Sequence, residues 1–157
     1  MLLAALAGLI TSLGLAPFGL WPLALVALAC VFLITRAAQS RRAAAQIGWA
    51  AGTGYFALAL IWIVEPFLIE PWVNGWMAPF ALFFMSAGLA LFWGAAAGFA
   101  HGRGRLAFVG ALALAELARA SLLTGFPWAM LGYIWSESPM ALYAAYIGPH
   151  GLTLLAL

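Results

Sequence analysis

The sequence contains no aspartate and no lysine, and its only charged residues are six arginines and four glutamates. They make up 6% of the 157 residues, whereas about 25% is usual for a soluble domain. Apolar residues make up 68% of the chain, and the mean hydropathy is +1.11. This composition excludes a water-soluble domain and predicts a protein embedded in a membrane.

The familiar motifs of catalytic and cofactor sites are also missing. The sequence has no glycine-rich dinucleotide fingerprint, Walker loop, HExxH motif, CxxC pair or nucleophile elbow. The single cysteine, Cys30, cannot form an intrachain disulfide, and its apolar surroundings predict a small buried hydrophobe. We therefore expect no catalytic residues, no metal and no cofactor in this chain. The arginines lie at the ends of apolar runs, so nucleic acid is not an expected partner either.

What the sequence does contain is a series of apolar runs separated by charged or breaker-rich segments. A helix needs roughly 20 residues to cross the hydrocarbon layer. We predict an all-α, polytopic transmembrane helix bundle of about five to six spans, with residues 1–157 forming one incomplete transmembrane domain. The predicted spans are residues 2–15, 21–35, 47–64, 77–100, 106–123 and a last run beginning at 140.

The arginines predict the orientation of these spans. The segments after the second and fourth runs contain five of them, whereas those after the first, third and fifth runs contain none and hold three glutamates (Glu65, Glu70 and Glu137). Because arginine-rich loops stay in the cytoplasm, we expect the N-terminus and the even-numbered loops there. The aromatic loops would face outward, and for Trp62, Trp72 and Trp76 we favour interfacial anchors over one wall of a lipid-accessible cavity.

Glu116 and Arg119 are the most informative charged pair because they fall inside the fifth run. A spacing of three places both on one face of a helix, and ionisable groups within a span are rare enough to suggest a function. We favour a mutual ion pair that allows both to be buried. The alternative is a role in holding a lipid or peptide head group, or an attached domain.

The segment formed by Gly125, Phe126, Pro127 and Trp128 is the second candidate. Pro127 biases Phe126 towards extended geometry, so the chain should leave the helix and present Phe126 and Trp128 at the outer interface. Two interpretations remain open. The segment is either an ordinary aromatic anchor or one wall of a lipid-accessible cavity.

Four blocks together resemble the bacterial apolipoprotein N-acyltransferase family. They are APFGLWPL, LIWIVEP, AELARASLLTGFPWAMLGY and IGPHGLTLL, in that order, and the string LTGFPW preceded by Glu-x-x-Arg is the most specific part. The resemblance implies a multi-pass enzyme of the bacterial inner membrane, with eight spans and an external nitrilase-like domain. It also implies that a cysteine in that domain takes an acyl chain from a phospholipid and passes it to the N-terminal diacylglyceryl-cysteine of a lipoprotein.

The resemblance implies partners and site residues as well: a phospholipid acyl donor, a lipoprotein acceptor and membrane lipids. The substrate-binding candidates it carries over are Glu116, Arg119 and residues 125–128. The sequence departs from the family pattern because it stops at Leu157, within the sixth run. We therefore expect the nitrilase-like domain to be absent and the fragment alone to be inactive. The competing interpretation is a small stand-alone transporter subunit or scaffold.

Overall fold

The computed structural model describes residues 1–122 and 125–157, and these residues form α-helices and 3₁₀ turns with no β-strand among them. The prediction of an all-α fold is thus confirmed for the described part of the chain. The α-helices are α1 (Leu2–Ser12), α2 (Trp21–Arg36), α3 (Arg41–Ala59), α4 (Pro71–Asn74), α5 (Ala78–Ala100), α6 (Arg105–Ser121) and α7 (Ala144–Ala156).

The predicted runs match some helices better than others. Helices α2 and α5 agree with the second and fourth runs to within one residue at each end. Helix α3 begins six residues earlier than predicted, because the Ser40 hydroxyl accepts a hydrogen bond from the Ala43 amide at 3.1 Å and caps the helix. It also ends earlier, where the chain bends by 49° into a 3₁₀ turn at Ile61–Leu68.

Among the residues that the structure describes, fewer helices than predicted have the length and hydropathy of a membrane span. The continuous segment Pro71–Ala100 does so, and α3 with its following turn makes a second if the bent pair counts as one span. Helix α1 has 11 residues, which is about 16 Å at the usual helical rise. Helices α2, α6 and α7 have 16, 17 and 13 residues, fewer than the roughly 20 residues that cross the hydrocarbon layer.

Helix α3 lies between α1 and α5, and glycines set how closely these helices approach. A Cβ atom at Gly8 of α1 would overlap the carbonyl of Ala51, and one at Gly54 would overlap the carbonyl of Ala5. On the side facing α5, a Cβ atom at Gly48 would come within 2.7 Å of the Trp93 carbonyl. Glycines on both helices of each pair therefore allow close helix packing.

Cys30 corrects one expectation, because it is exposed and not buried. Helix α2 buries the side that carries Ala24, Ala27, Leu28 and Val31, whose spacing of three and four follows one helical stripe. Cys30 lies outside this stripe. The sequence did not reveal this because α2 is apolar on every side, so the pattern of residues did not indicate its buried face.

The segment after α3 is irregular, as its prolines predict. It contains the turn at Ile61–Leu68, the one-turn helix α4 and a further turn at Gly75–Met77. Glu65 and Glu70 are exposed, and Trp72 exposes 97% of its surface. The last predicted run is divided as well, with a turn at Pro139–Tyr143 before α7 and a break within α7 at Gly148, where φ is +64°.

Candidate functional site

The predicted ion pair is present and lies entirely inside the protein. Glu116 and Arg119 sit one turn apart on α6, with 0% and 1% of their surfaces exposed. An Arg119 terminal nitrogen, Nη2, is 2.9 Å from Glu116 Oε2, and Arg119 Nε is 3.4 Å from Oε1. The expectation that the two charges permit each other's burial is confirmed.

Arg119 donates its remaining N–H groups to the segment that follows α6, defined here as residues 125–131. Nη1 donates to the carbonyls of Phe126 and Trp128 at 2.6 and 2.8 Å, and Nη2 donates to the carbonyl of Ala129 at 3.3 Å. A guanidinium group has five N–H donors, and together with the two bonds to Glu116 all five have acceptors within the described residues. The side chain therefore clamps this segment and keeps no donor for an outside ligand.

Glu116 connects α6 to two other parts of the fold. Its Oε1 accepts a hydrogen bond from the indole N–H of Trp93 on α5 at 2.8 Å, and its Oε2 accepts one from the backbone amide of Leu131 at 3.2 Å. These bonds spread the carboxylate charge over several donors, which is what a buried charge requires. The ion pair thus fixes the far end of the same segment that Arg119 clamps.

Aromatic side chains from α3 and α5 enclose the pair. The Tyr55 hydroxyl donates to the Ala129 carbonyl at 3.2 Å, and its ring stacks on Trp93 with centroids 5.0 Å apart. The guanidinium carbon of Arg119 lies 5.0 Å from the centre of the Phe56 ring, within the range of a cation–π interaction. The site is therefore built from α3, α5, α6 and the segment after α6.

The sequence analysis did not identify Tyr55, Phe56 or Trp93 as site residues. All three occur in apolar runs, where an aromatic residue is ordinary and gives no signal of its own. Trp93 is 23 residues from Glu116, and Tyr55 is 74 residues from Ala129. Only the packing of α3 and α5 against α6 brings these groups together.

The clamped segment turns sharply after α6. Gly125 has φ +73°, and a Cβ atom there would lie 2.6 Å from the Ala120 carbonyl, so this position requires glycine. The Phe126 amide donates back to the Arg119 carbonyl at 2.9 Å. The predicted fifth span ends and the LTGFPW block begins at Leu123, and Leu123 and Thr124 lie outside the described residues.

The aromatic residues of the segment point in different directions relative to the core. Phe126 is half-buried and packs against it. Pro127 is exposed, and Trp128 exposes 60% of its surface with its ring edge-on to Trp62 at 6.3 Å. The structure thus brings the six predicted residues together in two layers, in which the buried ion pair supports an exposed aromatic surface.

This arrangement holds the backbone of the segment in place and leaves the ring of Trp128 exposed. In residues 1–122 and 125–157, no three His, Cys, Asp or Glu side chains converge as metal ligands would. The ion pair satisfies its own charges and the carbonyls above it. What remains accessible is the aromatic face of the segment.

These features define a strongly apolar, all-helical domain in which one buried ion pair fixes an aromatic loop. The family described as the apolipoprotein N-acyltransferase N-terminal domain matches residues 7–157. The chain belongs to this family, which confirms the resemblance found in the sequence.

Curated relatives named apolipoprotein N-acyltransferase agree with this assignment. The protein from Caulobacter vibrioides is 42% identical over 99% of this chain and 31% of its own length. The relative from Rhodopseudomonas palustris is 38% identical over 98% of this chain and 31% of its own length. The relative from Nitrosomonas europaea is 37% identical over 98% of this chain and 33% of its own length. The chain thus spans about a third of the length of these relatives.

Proposed function

We propose that this chain is the membrane-embedded N-terminal part of an apolipoprotein N-acyltransferase. The enzyme would move an acyl chain from a phospholipid to the N-terminal diacylglyceryl-cysteine of a lipoprotein. The family match over residues 7–157 supports the class of enzyme. The observation that carries the role of this domain is the aromatic segment held by Arg119, because it presents a rigid apolar surface suited to an acyl chain or a lipidated peptide.

We further propose a multi-pass location in the bacterial inner membrane. Large apolar side chains are exposed on every helix of the bundle, among them Leu3 of α1, Val26 of α2, Phe84 of α5 and Leu114 of α6. Such surfaces are stable in contact with lipid and unfavourable in contact with water. The arginine distribution then places the N-terminus in the cytoplasm and the segment with Trp128 on the outer side.

In this proposal the six candidate residues have two different roles. Glu116 and Arg119 are positioning residues, because their polar groups are occupied within the fold and act on substrate only through the segment they hold. Gly125 and Pro127 give that segment its path. Phe126 and Trp128 supply the surface that contacts the acyl chain or the incoming peptide.

The acyl transfer itself would use residues of the nitrilase-like domain that the family resemblance implies. A thioester there would form on a cysteine activated by its neighbours. Cys30 does not suit that role, because it lies on the exposed apolar side of α2. The aromatic segment would contribute by orienting the reactants, which raises the rate without any proton transfer.

The stand-alone transporter or scaffold is the weaker interpretation. A transporter would need the buried charges to meet a passing solute, yet Glu116 and Arg119 are almost fully inaccessible. All five N–H groups of Arg119 already have acceptors within the fold. The family match over residues 7–157 also supports the acyltransferase interpretation.

The test is a Trp128→Ala variant of the intact enzyme in bacterial membranes. We expect thioester formation to persist while transfer to the lipoprotein slows by at least about tenfold, the scale of lost positioning in catalysis. Mass spectrometry of the lipoprotein, compared with acyl labelling of the enzyme, separates the two steps. Trp72→Ala is the matched control, because Trp72 is the more exposed tryptophan but lies outside the clamped segment. If both variants slowed acyl transfer equally, Trp128 would act only as an interfacial anchor.

A further inference from the structure

Two adjoining cavities lie at the arginine-rich end of the molecule, on α2 and the beginning of α6. Their volumes are about 470 and 390 Å³. They share four lining residues, Phe32, Arg36, Arg105 and Phe108, so they form one continuous depression. None of the residues of the ion-pair site lines either cavity.

The shared wall carries two arginines and no carboxylate side chain. Arg36 ends α2 and Arg105 begins α6, and both side chains are exposed. His101 lines the larger cavity, and no glutamate lines either one. Within residues 1–122 and 125–157, the ion pair between Glu116 and Arg119 is the only one. Arg36 and Arg105 are therefore available to an anion.

The rest of the depression is apolar and long. Beyond the arginines, the smaller cavity is lined by Leu33, Ala29 and Leu25 of α2, by Val109 of α6, and by the pair Ala156 and Leu157. Arg36 and Leu25 are separated by 11 positions on α2, which is about 16 Å along the helix axis. This is about half of the roughly 30 Å hydrocarbon thickness. The depression thus has the length of one leaflet.

We propose that this depression binds an anionic phospholipid. Its phosphate would lie between Arg36 and Arg105, and one acyl chain would run along α2 over the edge-to-face pair of Phe32 and Phe108, whose rings are 5.2 Å apart. Basic pockets between helices on the cytoplasmic side recognise anionic lipid head groups in this way. A free phosphate would use the arginines but leave the apolar wall unexplained. The proposal depends on membrane embedding but not on acyl transfer.

The test is native mass spectrometry of the full chain, purified in detergent and titrated with phosphatidylglycerol or with phosphatidylcholine. We expect the double variant Arg36→Gln, Arg105→Gln to lose phosphatidylglycerol binding by at least about tenfold, since each arginine near an anionic lipid surface contributes about 1 kcal/mol. The double variant Arg42→Gln, Arg103→Gln is the matched control. It removes the same charge at the same end, outside both cavities.

Two more variants test the contributions of the head group and of the acyl chain to binding separately. Replacing Arg36 and Arg105 by lysine should retain phosphatidylglycerol binding. Ala29→Phe should reduce it without changing the charge, because the side chain of Ala29 is exposed in the apolar part of the depression.

Three results would overturn the proposal. They are equal losses in the two glutamine variants, equal binding of both lipids by the unmodified chain, and displacement of the lipid by inorganic phosphate alone. Acyl transfer is not measured, so failure of the proposed enzyme activity would leave this result unchanged.

Discussion

Removing both members of the buried ion pair should destabilise the protein less than the sum of the two single removals. In Glu116→Gln, the positive charge of Arg119 stays buried beside a neutral amide. In Arg119→Gln, the carboxylate stays buried, and the carbonyls of Phe126, Trp128 and Ala129 lose their shared donor. In the double variant neither charge remains, so the electrostatic penalty of the single variants disappears.

The magnitudes follow from the bonds that each substitution removes. Breaking a buried ion pair by removing one partner costs about 3–5 kcal/mol. We expect Glu116→Gln near the lower end, because a glutamine carbonyl can still accept from Trp93 Nε1. We expect Arg119→Gln near the upper end, since it also loses three bonds to the segment. The double variant should be destabilised by about 2 kcal/mol less than the sum of the single variants, which is within the range measured for coupled neighbours.

Thermal unfolding in a defined detergent, combined with the amount of folded protein recovered from membranes, measures this coupling. Leu114→Ala serves as the control for a change on α6 that leaves the pair intact, because Leu114 is exposed on the same helix. Strict additivity of the two single variants would refute the reasoning. So would equal recovery of all three, because the buried charges would then not depend on each other.

Three further predictions concern orientation, helix packing and the support of the carboxylate. A cysteine introduced at Ser40, in a chain whose native cysteine is replaced, should resist an impermeant thiol reagent in intact spheroplasts and react after lysis; reaction in the intact cells would reverse the orientation. Gly8→Leu should abolish folded protein, because its side chain would overlap the α3 backbone, whereas Gly88→Ala should be tolerated, since no atom lies within 4 Å of the added Cβ; similar recoveries would contradict the packing. Trp93→Phe removes the indole donor to Glu116 and should cost about 2 kcal/mol in unfolding experiments, the scale of a hydrogen bond to a charged group; an unchanged midpoint would show that this bond does not stabilise the fold.

The sequence by itself determined the helical class and the partners within α6. A succession of apolar runs with only six arginines and four glutamates in 157 residues predicted helices, and the described residues contain no β-strand. The spacing of Glu116 and Arg119 places them on one helix face, where they form the ion pair. These inferences succeeded because each depends on local geometry that a few neighbouring residues fix.

Tertiary structure decided which faces meet and what the charged groups touch. Helix α2 is apolar on every side, so only its packing shows that Cys30 is exposed. Trp93 and Tyr55 reach the ion pair from α5 and α3, which no spacing along the chain indicates. The bonds of Arg119 to three carbonyls depend on the path of the following segment. Long-range packing determines these contacts, and in a chain where apolar residues are everywhere, hydrophobicity alone cannot specify it.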